Sequence, residues 1–183
     1  MEKKLEQQPA NCLRIVLFGP ESTGKTTLAK QLAAHFNTEW VPEYMREYLE
    51  KKGENISKED LIPIANGQIS SENKATFQAS KYLFCDTNLL ELKVYCEYYY
   101  EGFCPYAIKE AAFTHRYDYY FLTDIDVPWE ADNLRDRPYD RSTLFRMFEK
   151  ELQNLNLPYT KLSGNKEERF EKALHFLKEL KRN

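Results

Sequence analysis

One continuous stretch constrains this chain more than any other: Leu13-Arg14-Ile15-Val16-Leu17-Phe18, followed without interruption by Gly19-Pro20-Glu21-Ser22-Thr23-Gly24-Lys25-Thr26. The first part has the apolar, β-branched pattern of a strand buried on both faces. After the second part, Leu28, Leu32 and Phe36 recur at four-residue intervals and line one face of a helix. Gly19-x-x-x-x-Gly24-Lys25-Thr26 is therefore a complete Walker A motif in the strand, loop and helix setting that its chemistry requires. The glycines let backbone N–H groups surround phosphate oxygens, and the helix directs its positive end at the same anion. Lys25 is then placed to neutralise β- and γ-phosphates, and the Thr26 hydroxyl to ligate Mg²⁺. The residues expected to bind ATP are Gly19, Glu21, Ser22, Thr23, Gly24, Lys25, Thr26 and Thr27.

Alternation of strands and helices continues along the chain. Residues 38–41 read as a second short strand closed by Pro42, and residues 43–52 as an amphipathic helix ended by Gly53. Ser57 and Asp60 have the spacing of a reciprocal cap. The helix they open is expected to run to about Ser80, with Pro63 and Gly67 as points where it could break. Residues 82–85 form a third apolar strand that ends on Asp86, and helical patterning resumes at Leu89. Next come a turn at 102–105, a helix over 106–114, a strand over 117–123 and a polar stretch over 124–141. A helix over 142–154, a strand over 158–162 and a last helix over 166–181 complete the pattern. The fold class predicted is α/β: a three-layer P-loop NTPase fold, with a five-stranded parallel sheet covered by helices on both faces. Residues 1–12 read as a polar leader and 13–183 as a single domain, with an arginine-bearing lid at about 124–141.

The net charge of −3 leaves no basic surface of the kind that nucleic-acid binding needs. The polar N-terminus lacks a signal-peptide core and no apolar run approaches a membrane span, so a cytoplasmic protein without a membrane partner is expected. Cys12, Cys85, Cys96 and Cys104 show no metal spacing and read as reduced, partly buried thiols.

Three polar groups carry candidate chemistry. Asp86 ends a buried strand, where ligands bind in such sheets; it either holds Mg²⁺ or caps the helix after it. Glu43 follows the second strand and either accepts the proton of an attacking hydroxyl or is a first-turn glutamate favoured by the helix dipole. Arg46, one turn on, can face the same side. Arg135, Arg137 and Arg141 lie among acidic residues, either as a lid over ATP or as a solvated loop of alternating charge. The Ser163-Gly164-Asn165 turn is the place expected for adenine contacts.

Together these segments make the chain similar to the ribosylnicotinamide kinase domain of NadR-type proteins. The resemblance rests on Gly-Pro-Glu-Ser-Thr-Gly-Lys-Thr (19–26), Pro-Glu-Tyr-Met-Arg-Glu-Tyr (42–48), Asn-Gly-Gln (66–68), Cys-Asp-Thr-Asn (85–88) and Val-Pro-Trp-Glu-Ala-Asp-Asn-Leu-Arg-Asp-Arg (127–137). It implies phosphorylation of the 5′-hydroxyl of nicotinamide riboside to nicotinamide mononucleotide, with ATP and Mg²⁺ at Lys25 and Thr26. It also implies an acceptor site at Glu43, Tyr44 and Arg46, with Asp86 at the metal or hydroxyl, and a lid carrying Arg135 and Arg137. Members often have aspartate where this chain has Asn88, and threonines where it has Glu91 and Leu92. No His-x-Gly-His occurs, so a kinase without an adenylyltransferase activity is implied. Two alternatives stay open: a kinase for another nucleoside- or vitamin-like alcohol such as thiamine, and an ATP-dependent switch.

Overall fold

β1 (Leu13–Phe18) is buried along its whole length, and its pleat divides its apolar side chains between two cores. Leu13, Ile15 and Leu17 join one cluster, Val16 and Phe18 the other, as the period of two in a strand requires. The computed structural model describes residues 5–53, 55–130 and 139–180. After β1 come α1 (Lys25–Phe36), β2 (Trp40–Val41), α2 (Tyr44–Lys52), a 3₁₀ turn (Lys58–Asp60) and α3 (Leu61–Thr76). They are followed by β3 (Tyr82–Asp86), α4 (Leu89–Tyr99), α5 (Tyr106–Thr114), β4 (Tyr119–Thr123), α6 (Arg141–Asn154), β5 (Tyr159–Leu162) and α7 (Lys166–Glu179).

The sheet has five strands in the order β2-β3-β1-β4-β5, and every pairing is parallel. On one face α1 and α7 pack Leu28, Leu32, Ala173 and Leu177 against it; on the other, α4 and α6 contribute Leu90, Val94, Leu144 and Phe148. A further cluster joins Ile64 of α3, Leu89 and Cys96 of α4 and Ile108 of α5. The chain leaves β1 toward β2 and β3 on one side and later crosses to β4 on the other. The carboxyl end of β1 is thus the switch point where such sheets open a crevice. Register places Leu17 opposite Asp86 and Phe18 opposite Leu122, so the Walker loop emerges between the ends of β3 and β4. Among the described residues no helix is long and apolar enough to cross a membrane. All four cysteines are free and buried.

Some boundaries differ from the sequence expectation. α3 stops at Thr76 rather than near Ser80, and neither Pro63 nor Gly67 breaks it. Pro63 falls in the first turn, where backbone N–H groups have no intrahelical acceptor. Gly67 is a site of close approach: a Cβ there would lie 1.9 Å from the Tyr44 ring. β4 begins at Tyr119, and the two preceding residues use their side chains to join it to its surroundings. Asp118 accepts the Arg14 backbone N–H at 2.7 Å, and the Tyr117 hydroxyl donates to Glu72 at 2.8 Å. The reciprocal cap of Ser57 and Asp60 forms as expected.

The leader lies against this end of the sheet. Leu5 is buried in the α3–α5 cluster, Gln7 donates to Glu72 at 2.9 Å, and the Gln8 N–H donates to Asn73 at 2.8 Å. Glu72 is fully buried and pairs with the buried Arg14 at 3.4 Å. A buried ion pair adds little net stability, but removing one member strands the other. Glu72→Ala is therefore expected to cost about 3–5 kcal/mol in urea unfolding, and Glu72→Gln distinctly less, because it keeps the side-chain volume and one of the two oxygens that Gln7 and Tyr117 use.

Candidate active site

The Walker loop takes its shape from contacts behind it. Gly19 has φ 137°, and a Cβ there would meet Thr123 Oγ1 at 2.8 Å and the Thr123 carbonyl at 2.9 Å. Only glycine fits that position. Thr123 Oγ1 donates to Phe18 O at 3.2 Å and shares a 2.6 Å hydrogen bond with Thr23, whose hydroxyl lies 2.8 Å from Pro20 O. Lys25 is buried; its Nζ donates to Gly19 O at 2.7 Å and Pro20 O at 2.9 Å, and lies 3.3 Å from Glu91 Oε1. In front of the loop is a cleft of about 520 Å³. Glu21, Ser22, Thr23, Gly24, Lys25, Thr26 and Thr27 line it, with Glu43, Arg46, Asn165 and Arg169.

Asp86, at the end of β3, is buried and accepts the Thr26 hydroxyl. It does not cap α4. That role belongs to Asn88, whose Oδ1 accepts the Glu91 N–H at 3.1 Å. Burial, with the Glu43 charge adding to it, pushes the Asp86 carboxyl up to about 6 against the pull of Lys25. Burial likewise pushes Glu91 up to about 8, while Lys25 opposes the shift. Burial lowers the Lys25 ammonium, but Glu91, Glu43 and Asp86 more than offset this, so its pKa is raised. The ammonium stays charged.

A second, small pocket of about 20 Å³ lies beside the cleft, and Glu43 and Met45 line both. Its wall includes Gln68 of α3, Thr87 and Asn88 just before α4, and Glu91 and Tyr95 on α4 itself. Gln68 Oε1 accepts the Tyr44 N–H at 2.8 Å, which turns its Nε2 the other way. Gln68 Nε2, Tyr95 Oη, Glu91 Oε1 and Asp86 Oδ1 are all buried without a hydrogen-bond partner. Three of these four atoms belong to residues that line this pocket, and buried polar groups of that kind call for a polar partner. Tyr44, held against Gly67, and Arg46 stand on the α2 side.

The described ends of the 124–141 segment touch the loop. The Glu130 N–H donates to Ser22 Oγ at 2.9 Å, and Arg141 donates to Ser22 O at 3.2 Å and Val127 O at 3.1 Å. Arg135 and Arg137 lie outside the described residues. Arg169 of α7 is buried; it donates to Thr23 O, to Gly164 O at 2.8 Å and to Asp124 O at 2.9 Å, and pairs with Asp126. It ties the 163–165 turn to the Walker loop, and Asn165 of that turn faces the cleft.

Neither Arg169 nor Glu91 is among the site residues expected from the sequence, although each leaves a trace there. Arg169 stands one and two turns before Ala173 and Leu177 on the buried face of α7. Glu91 interrupts the apolar run Leu89-Leu90-Glu91-Leu92 just past a strand end.

Sheet order, Walker loop and strand-end carboxylate together define a P-loop nucleotide-binding fold. The chain belongs to the AAA domain family, whose model matches residues 14–169. It is 28% identical over 182 residues to the trifunctional NAD biosynthesis/regulator protein NadR of Escherichia coli (strain K12). That match covers 96% of this chain and 44% of the relative. The Salmonella typhimurium NadR matches at the same 28% identity over the same shares of each chain, and this chain spans less than half the length of either protein. Among solved structures, NadR in complex with NR superposes with a TM-score of 0.74 at 20% identity, covering 92% of this chain and 51% of that one. Deoxyadenosine kinase from M. mycoides gives 0.67 at 13%, over 92% of this chain and all of that one. These superpositions show the fold.

The carboxyl shifts have a consequence for stability. Asp86 and Glu91 keep their protons in the folded state well above 3.8 and 4.5, where the unfolded chain gives them up. Their stabilising contribution is complete below about pH 4 and is lost as pH rises toward about 8. The thermal midpoint, measured without nucleotide, is expected to fall over that range. Glu91→Gln should flatten the fall while leaving the midpoint near pH 5 little changed.

Proposed function

We propose that this chain is an ATP-dependent kinase that transfers the γ-phosphoryl group to the 5′-hydroxyl of nicotinamide riboside, giving nicotinamide mononucleotide. One observation carries the reading: Glu43 lines both the phosphate cleft and the small pocket of about 20 Å³ beside it, so a carboxylate stands between the place for a triphosphate and a recess that an acceptor hydroxyl can enter. The NadR relative named for NAD biosynthesis and the NadR structure in complex with NR support the choice of acceptor.

In this scheme the Walker loop amides and Lys25 hold the triphosphate, Lys25 turning from Gly19 O and Pro20 O to the β- and γ-phosphates. Thr26 and Asp86 fit Mg²⁺: both are hard oxygen donors, they already touch, and Asp86 keeps one oxygen without a hydrogen bond. Bound there, the ion neutralises charge developing on the phosphoryl oxygens. With Asp86 engaged by Thr26, Glu43 is the carboxylate left to accept the acceptor's hydroxyl proton. Tyr44 and Arg46, on the helix that Glu43 opens, are assigned to acceptor binding, with Arg46 reaching it from the phosphate cleft. Arg135 and Arg137 are assigned to closing the lid over ATP and excluding water.

Lys25→Ala is expected to lower kcat on the order of 10²–10³-fold, as loss of a charge-stabilising donor does, with the circular dichroism spectrum unchanged. Glu43→Gln should reduce kcat about 10²–10⁴-fold with affinity for AMP-PNP preserved; an unaltered kcat would take the base role from Glu43. The acceptor is tested by ATP consumption with nicotinamide riboside, purine and pyrimidine nucleosides, and thiamine. Turnover is expected to be fastest with the first, and a faster rate with any other reassigns the substrate.

A further inference from the structure

Glu91 has no part in the transfer scheme, yet it joins the two cavities from behind. Its carboxyl is 1% exposed; Oε2 accepts the Gly19 N–H at 3.1 Å, and Oε1 lies 3.3 Å from Lys25 Nζ without making a hydrogen bond. The amide belongs to the first residue of the Walker loop, and the ammonium is the group that has to reach a nucleotide. A carboxylate of the protein itself thus holds the partner that phosphate oxygens require. On its other side Glu91 lines the pocket with Gln68 and Tyr95, whose Nε2 and Oη are buried and unpartnered. An acceptor oxygen, an amide donor and a hydroxyl, each carrying a desolvation penalty, are the complement of a hydroxylated molecule.

We propose that Glu91 is a positioning residue with two exclusive partners. Without substrates it restrains Lys25; an acceptor hydroxyl entering the pocket takes the carboxylate and frees the ammonium for the nucleotide. The proposal rests on assigning that pocket to the acceptor. Lys25 from α1 and the Gly19 N–H favour the charged carboxylate; Glu43 and Asp86 oppose it, and Tyr95 faces it from its own helix. Lys25 is therefore the cation set against this charge, and a donor hydroxyl is the natural substitute. Acceptor and nucleotide then strengthen each other's binding by the same factor. ATP arriving alone meets a lysine already engaged, which limits loss of phosphate to water.

The test is calorimetric titration of AMP-PNP with Mg²⁺ into the full chain at pH 8.5, for wild type and Glu91→Gln, with and without nicotinamide riboside. Glutamine keeps the shape and an oxygen for the Gly19 N–H, and Glu91→Thr serves as a second variant if the first fails to fold. Glu91→Gln is expected to bind AMP-PNP about tenfold more tightly in the absence of acceptor. Nicotinamide riboside should tighten AMP-PNP binding about tenfold in wild type and less than about twofold in the variant. The acceptor-free gain should shrink toward pH 6.5 as the wild-type carboxyl takes up a proton, a change that a purely structural carboxylate would not produce. Equal acceptor-free affinities at pH 8.5 overturn the proposal. If that gain persists while nicotinamide riboside leaves wild type unmoved, the restraint stands and the choice of acceptor falls.

Discussion

An ammonium group buried beside three carboxylates sets the terms for everything at the head of this sheet. Lys25 feels Glu43, Asp86 and Glu91 at once, and two of those carboxyls are themselves buried. In a medium of low polarity such a cluster is tolerable only if some acids keep their protons and the cation stays in reach. A triphosphate brings several more negative charges to the same place. Under the proposed function the site can admit it only with added positive charge, so the Mg²⁺ assigned to Thr26 and Asp86 and the nearby Arg46 answer one electrostatic requirement rather than two.

The fold meets this requirement by fixing backbone direction. Arg141 and Arg169 reach the loop from distant parts of the chain and bind Ser22 O and Thr23 O. Because a peptide unit is planar and trans, a carbonyl held on the outside turns the next N–H inward. Thr123 supports the same loop from the end of β4, against a glycine that admits no side chain. Preorganised amides of this kind need no rearrangement when charge develops.

How much of this is legible in the sequence depends on whether cause and effect are neighbours in the chain. The β1, Walker loop and α1 unit is legible because periodicity and motif are local, and the same holds for the Ser57 and Asp60 cap. Asp86 is recognisable at a strand end, but only the structure removes it from the helix cap, which Asn88, two residues on, occupies. Glu91 is visible as a departure from the family pattern, though its partners Gly19 and Lys25 are 72 and 66 positions away. Arg169 is hidden for the same reason. Gly67 reads as a possible break because an isolated glycine does not reveal that an aromatic ring will lie on it.

α3 serves two ends of the molecule. Gln68 forms part of the pocket wall, and Glu72, one turn further on, anchors the start of the chain and Arg14. Residues four apart share a helix face, and each added residue rotates the remainder of the helix by about 100°. A single-residue insertion or deletion between these two positions would swing one anchorage away whenever the other stayed in register. This stretch can therefore drift by substitution but is closed to indels.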